Sequence, residues 1–128
     1  MPGLDELITW FGYFPTFHDA EVTSILLDRL GSSRIIVHTW AMTGQVDDKG
    51  RYILRKHVMV SFVLDGIIDL NLEGFNYQNV LNSITLDGTA EGYELVLEGN
   101  YGTGGKIEAA SIRIELNPGL PESSIYRS

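Results

Sequence analysis

A mostly β fold is predicted for this chain: an antiparallel sandwich or partly open barrel of about seven strands, with one helix ahead of them. Three observations predict it. Alternation of apolar and polar residues with a period of two begins near Ala20 and recurs as far as Leu116. Turn pairs and glycine-rich stretches interrupt it at short intervals, at 31–33, 65–66, 87–88 and 100–105. Only the N-terminal stretch carries a helical period.

Leu4, Leu7, Ile8 and Phe11 fall at i, i+3, i+4 and i+7, which places one apolar stripe on a helix. Gly12 suits its C-terminal end, and Pro15 holds Phe14 extended as the chain turns. A first strand is expected within 20–30. The second, 34–42, is apolar on both faces, with Ile35 and Val37 on one and Ile36 and Trp40 on the other, as a central strand is. After a polar loop at 44–50, a third strand runs from about 52 to 64. Asp65-Gly66 reads as a tight hairpin turn. The strand after it sets Ile68, Leu70 and Leu72 against Asp69, Asn71 and Glu73, one face dry and the other wet and acidic.

Residues 74–81 read as a loop with one helical turn, and 83–86 as a short strand. Next, Tyr93, Leu95 and Leu97 alternate with Glu94, Val96 and Glu98. The last strand, 107–116, is expected to point Ala110, Ile112, Ile114 and Leu116 inward and Ser111, Arg113 and Glu115 outward. One domain over 1–128 is expected: a helical region at 1–12, a β core at 20–116 and a tail at 117–128.

Composition narrows function. Seventeen acidic residues face nine basic ones, a formal charge of −8. That sign opposes binding to nucleic acid and to anionic membranes, and it favours encounter with a basic protein. The absence of cysteine removes disulfides, thiolate metal sites and cysteine nucleophiles from consideration. No basic-then-apolar leader and no apolar run of about 20 residues occurs, so a cytoplasmic location is expected.

The densest polar cluster is Phe17-His18-Asp19-Ala20-Glu21, between the helix and the first strand. His18 there has the chemistry of an acid, a base or a metal ligand, with Asp19 or Glu21 assisting, as in a small metal-dependent hydrolase. The competing and favoured reading is structural: short polar side chains in a tight connection satisfy main-chain groups. A third reading is a domain binding a small ligand or carbohydrate through Trp40, Tyr52 and Tyr77. His38, two residues before Trp40, is expected to point inward. The stretch 100–105 lacks the Gly-Lys-Ser or Gly-Lys-Thr of a phosphate loop. No catalytic, cofactor-binding or metal-binding set is expected.

Three segments share an order and spacing with a known family. Trp10-Phe11 is followed by Phe14-Pro15-Thr16-Phe17-His18-Asp19-Ala20-Glu21-Val22. Leu72-Glu73-Gly74-Phe75-Asn76-Tyr77-Gln78-Asn79-Val80 follows, then Asn100-Tyr101-Gly102-Thr103-Gly104-Gly105. Together they resemble the Immunity protein 50 family, whose members are predicted to neutralise toxins of bacterial polymorphic toxin systems. Thr16 departs from a serine, Leu81 from an isoleucine, and Lys106-Ile107 from an aromatic. The resemblance implies a non-enzymatic protein that covers a toxin, possessing a protein partner and no catalytic residues. Acidic positions Asp47, Asp48, Asp69, Glu73, Glu94 and Glu98 are the candidate partner contacts.

Overall fold

The computed structural model describes residues 1–42, 48–50 and 55–121. Helix α1 spans Leu4–Phe11. Six strands follow: β1 (Glu21–Leu26), β2 (Ser33–Met42), β3 (Arg55–Glu73), β4 (Val80–Gly88), β5 (Tyr93–Tyr101) and β6 (Gly104–Pro118). All neighbours are antiparallel, and the order β1-β2-β3-β6-β5-β4 closes into a ring.

Three of the four stripe residues pack as their spacing predicts, while Ile8 is exposed. Leu7 is fully buried, and Leu4 and Phe11 pack partly against the same core. Gly12 ends the helix by donating its N–H to the Ile8 carbonyl at 2.6 Å. The segment before the helix is tied to the sheet, because Ile114 N–H of β6 donates to the Pro2 carbonyl at 2.8 Å. At the other end, Lys56 Nζ of β3 donates to the Trp10 carbonyl at 3.1 Å and sits 4.4 Å from the centre of its ring.

The expected count of seven strands is corrected to six, because Asp65-Gly66 makes no hairpin. β3 runs straight through this pair and stays registered on β6, from Val58↔Pro118 to Glu73↔Gly104. A hairpin would require the two halves of β3 to pair with each other. The 15-residue β6 is long enough to pair with both halves in turn, and that pairing wins. Gly66 supplies a bend instead of a turn. Its φ is 66°, and the register slips between Ile67 and Asp69. β6 bends opposite it: Ile107, Ala109, Ile112 and Ile114 are buried, whereas Ala110, expected inward, is exposed. Past the bend, β3 has only β6 as a sheet neighbour, and Ile68 and Leu70, expected in the core, are exposed.

β2 lies between β1 and β3, as its apolar faces predict. Inside the ring, Phe17 and Phe62 pack tilted against each other with centroids 5.8 Å apart, among Val37, Val60, Leu81 and Leu97.

The ring closes through one strand pair, Glu21↔Val80. The main chain of the preceding corner extends that seam. Asp19 N–H donates to the Leu81 carbonyl (2.9 Å) and Leu81 N–H to the Ala20 carbonyl (2.8 Å). Further bonds run from Val22 N–H to Asn79 (2.9 Å) and from Ile84 N–H to Thr16 (3.1 Å). To make these bonds the corner adopts left-handed conformations at two residues that are not glycine, Phe17 (φ 63°) and Asp19 (φ 64°).

Candidate functional site

At the corner, the Phe17 side chain is buried while His18 and Asp19 are exposed. His18 Nδ1 donates to the Asn82 carbonyl at 3.3 Å, and its Nε2 lies 3.6 Å from an Asp19 oxygen. The His18 ring therefore leans on β4. Asp19 and Glu21 face a different neighbourhood. They line a groove of about 690 Å³ together with His38 and Trp40 of β2 and with Phe75 and Tyr77 of the β3–β4 loop. Trp40 and Tyr77, singled out for a ligand platform, thus share one groove with Asp19 and Glu21, while Tyr52 lies outside the described residues. Among the described residues, no group of three or more His, Asp or Glu side chains is spaced to hold a metal ion.

The β3–β4 loop contains no helical turn, contrary to expectation. Asparagines hold it instead, by the local side-chain-to-backbone bonding that competes with helix. Asn79 is 3% exposed. Its Oδ1 accepts from Asn76 N–H (2.9 Å) and Thr103 N–H (3.1 Å), and its Nδ2 donates to the carbonyls of Asn76 (2.6 Å) and Val22 (3.4 Å). One side chain therefore ties the loop to β1 and to the β5–β6 turn. Gly102 in that turn has φ 82°, and a Cβ there would come within 2.5 Å of Asn79 Oδ1, so only glycine permits the contact. Replacing Asn79 by alanine removes the bridge and leaves buried main-chain groups without partners. A loss of about 2 kcal/mol is expected, measured by urea denaturation, with Asn79→Asp intermediate because it keeps the acceptor oxygens.

Below the groove lie two histidines. His38 Nε2 is 3.0 Å from His57 Nδ1, and the rings stack with centroids 5.1 Å apart. Trp40 tilts against both. Burial first, and the neighbouring His57 second, lower the His38 pKa from 6.5 to about 4. His38 is 4% exposed, but it does not point into the core as expected: it lies on the face of β2 opposite Ile35 and Val37, which do.

The acidic strand residues gather elsewhere. Asp69, Glu73, Glu94 and Glu98 all lie on one outer face, formed by β4, β5, β6 and the distal half of β3. Cross-strand register makes Asp87↔Glu94, Glu94↔Glu108 and Glu108↔Asp69 direct neighbours. Four carboxylates thus form one row across four strands, where like charges opposite each other are destabilising. Glu98, further along, accepts from Asn82 Nδ2 (3.1 Å) and Ser83 Oγ (3.3 Å). Asp48 is exposed outside the strands, and Asp47 lies outside the described residues.

Sequence reading passed over Asp87, taken as a turn residue, and Glu108. Both carry the same charge signal as the others, but only pairing reveals that they align. Around β2, the proximal half of β3 and the distal half of β6, charges are paired instead. Arg34 donates to Glu115 at 2.7 Å, Arg113 donates to Asp65 at 3.2 Å, and Arg113 Nε lies 3.7 Å from Glu115. The hydrogen bond from Arg34, with both arginine charges, holds the Glu115 carboxyl below its usual pKa. The molecule therefore has one charge-balanced region and one face on which carboxylates predominate, with Lys106 the basic residue registered among them.

Fold and surface define a class: a small antiparallel β protein whose charged and aromatic side chains are displayed on exposed faces. The family model described as Immunity protein 50 matches residues 4–117, and the chain belongs to that family. No curated protein and no solved structure matches the chain significantly.

Proposed function

We propose that the protein is a non-enzymatic immunity protein that binds and neutralises a cognate bacterial toxin in the cytoplasm of the cell that makes it. Membership of the Immunity protein 50 family supports this reading. The observation that carries it further is the row Asp87, Glu94, Glu108 and Asp69. Opposed carboxylates reduce the stability of a sheet. A basic protein surface, such as that of a nuclease, would turn this cost into attraction, speeding encounter and setting orientation. Glu73 and Glu98 extend the same face.

The test is co-expression with the toxin-like protein encoded beside this gene. The wild-type chain should co-purify with that protein and abolish its toxicity. Converting Asp69, Glu94 and Glu108 to their amides should slow association by about tenfold at low salt and flatten its salt dependence. Melting temperature should hold or rise. Failure of the wild-type chain both to bind and to protect would refute the reading.

A further inference from the structure

We propose that the groove between the corner and the β3–β4 loop receives an arginine side chain of the protein partner. This deepens the immunity reading and rests on it for the identity of the partner as a protein.

The first observation is the display of aromatic surface. Tyr77 is 96% exposed and Phe75 50% exposed. Both lie on a loop anchored by the buried Asn79 bridge, so the rings are presented from an ordered backbone. Large rings held in water gain nothing for this chain's own fold. On a preordered loop they offer a partner contact area at a low cost in ordering entropy.

The second observation is acidic. Asp19 and Glu21 line the same groove. Glu21 makes no side-chain hydrogen bond or ion pair among the described residues, and Asp19 has only the exposed His18 ring beside it. No lysine or arginine is among the described residues that line the groove.

Two acidic and two aromatic residues lining one groove of about 690 Å³ suit a cation that is both planar and forked. A guanidinium stacks on a ring face and donates in pairs to carboxylate oxygens; an ammonium does neither as well, being compact and strongly hydrated. Among the described residues, no group of three or more His, Asp or Glu is placed to hold a metal ion there. The net charge of −8 adds a long-range field of the sign that draws such a side chain in.

The experiment has two arms. In the first, the whole chain is titrated with N-acetyl-arginine amide and followed by NMR. Saturable shifts at Glu21, Tyr77 and the Trp40 indole are expected, at least about fivefold weaker in Glu21→Gln and Tyr77→Ala. The uncharged isostere N-acetyl-citrulline amide should give none. Equal responses to arginine and citrulline, equal affinity for N-acetyl-lysine amide, or shifts confined to other surfaces would each overturn the proposal.

The second arm uses the toxin-like protein encoded beside the gene. Tyr77→Ala should weaken the complex by about 30-fold, the scale of an interface hot spot, with an unchanged melting temperature. If wild type forms the complex and Tyr77→Ala and Glu21→Gln bind equally well, the groove assignment fails and the immunity reading stands. If wild type forms no complex, the immunity reading fails and the first arm alone decides the groove.

Discussion

Replacing Phe17 with alanine is expected to lower the free energy of unfolding by about 3–5 kcal/mol, the cost of deleting a buried aromatic ring. In a chain of this length that amounts to a fall in melting temperature of about 10–20 °C, read by circular dichroism. Three features make Phe17 this costly. Its ring is 2% exposed and packs on Phe62 and on Phe14, at 5.8 and 6.1 Å between centroids. It stands in the corner whose main chain carries the seam of the ring, so slack there is transmitted to β4. Its φ of 63° is left-handed, a conformation that a side chain with a Cβ adopts at a cost. The last point yields a sharper expectation. Phe17→Gly should be no less stable than Phe17→Ala, the reverse of the usual order of these residues, because glycine relieves the backbone strain. A loss below about 1 kcal/mol in Phe17→Ala would show that the ring is not packed as described.

Acidification should weaken the fold through His38, by up to about 3 kcal/mol from this residue. The sign follows from the lowered pKa. In the folded state His38 takes up its proton only near pH 4, whereas the unfolded chain does so near 6.5. Between those values the unfolded state binds more protons, so the contribution is whole above about pH 6.5 and is lost progressively as pH falls toward 4. Burial of the ring is the first cause of the shift, and the neighbouring His57 the second. His38 Nε2 and His57 Nδ1 meet at 3.0 Å, which requires one nitrogen to donate and the other to accept. Protonating both rings sets two donors against each other beside Trp40. Urea denaturation at pH 7.5, 6, 5 and 4.5 should show stability falling steeply, and in His38→Gln the fall should be shallower. Parallel curves for the two proteins would remove His38 from the account.

Much of this architecture is legible in the chain. The stripe Leu4, Leu7, Ile8 and Phe11 specifies the helix, because contacts at i+3 and i+4 are local. The doubly apolar pattern of β2 fits its place between β1 and β3, because strands inside a sheet are more often covered on both faces than edge strands are. Asp65-Gly66 marks the limit of such local reading. Its chemistry suits a hairpin turn and a bend alike, since both use glycine at positive φ. Which forms depends on whether the two flanking runs pair with each other or with a third strand, and β6 lies nearly 40 residues further on. The alternation of Ile68, Leu70 and Leu72 misleads for the same reason. A period of two establishes a strand, but burial requires a second layer above it.

The candidate sites divide in the same way. Asp69, Glu73, Glu94 and Glu98 are individually visible as polar positions in alternating strands. The alignment of Asp69 and Glu94 with Asp87 and Glu108 in one row, with Glu73 and Glu98 on the same face, is a matter of register, and a slip of one residue would have scattered them over two faces. Asp19 and Glu21 are two residues apart in sequence. Phe75 and Tyr77 share a groove with them because Asn79, buried and making four hydrogen bonds, fastens the loop there.

The sequence by itself determined the strand-rich class, the N-terminal helix, the acidity and, through three ordered segments, the family. These are properties of local periodicity, of composition and of motif order. Only the tertiary structure decided that six strands close in a ring, that the corner around Phe17 carries the seam, and that carboxylates and aromatic rings meet in a row and a groove. Those outcomes belong to strand pairing between distant segments, where main-chain hydrogen bonds and core packing select one register among several that the local pattern allows.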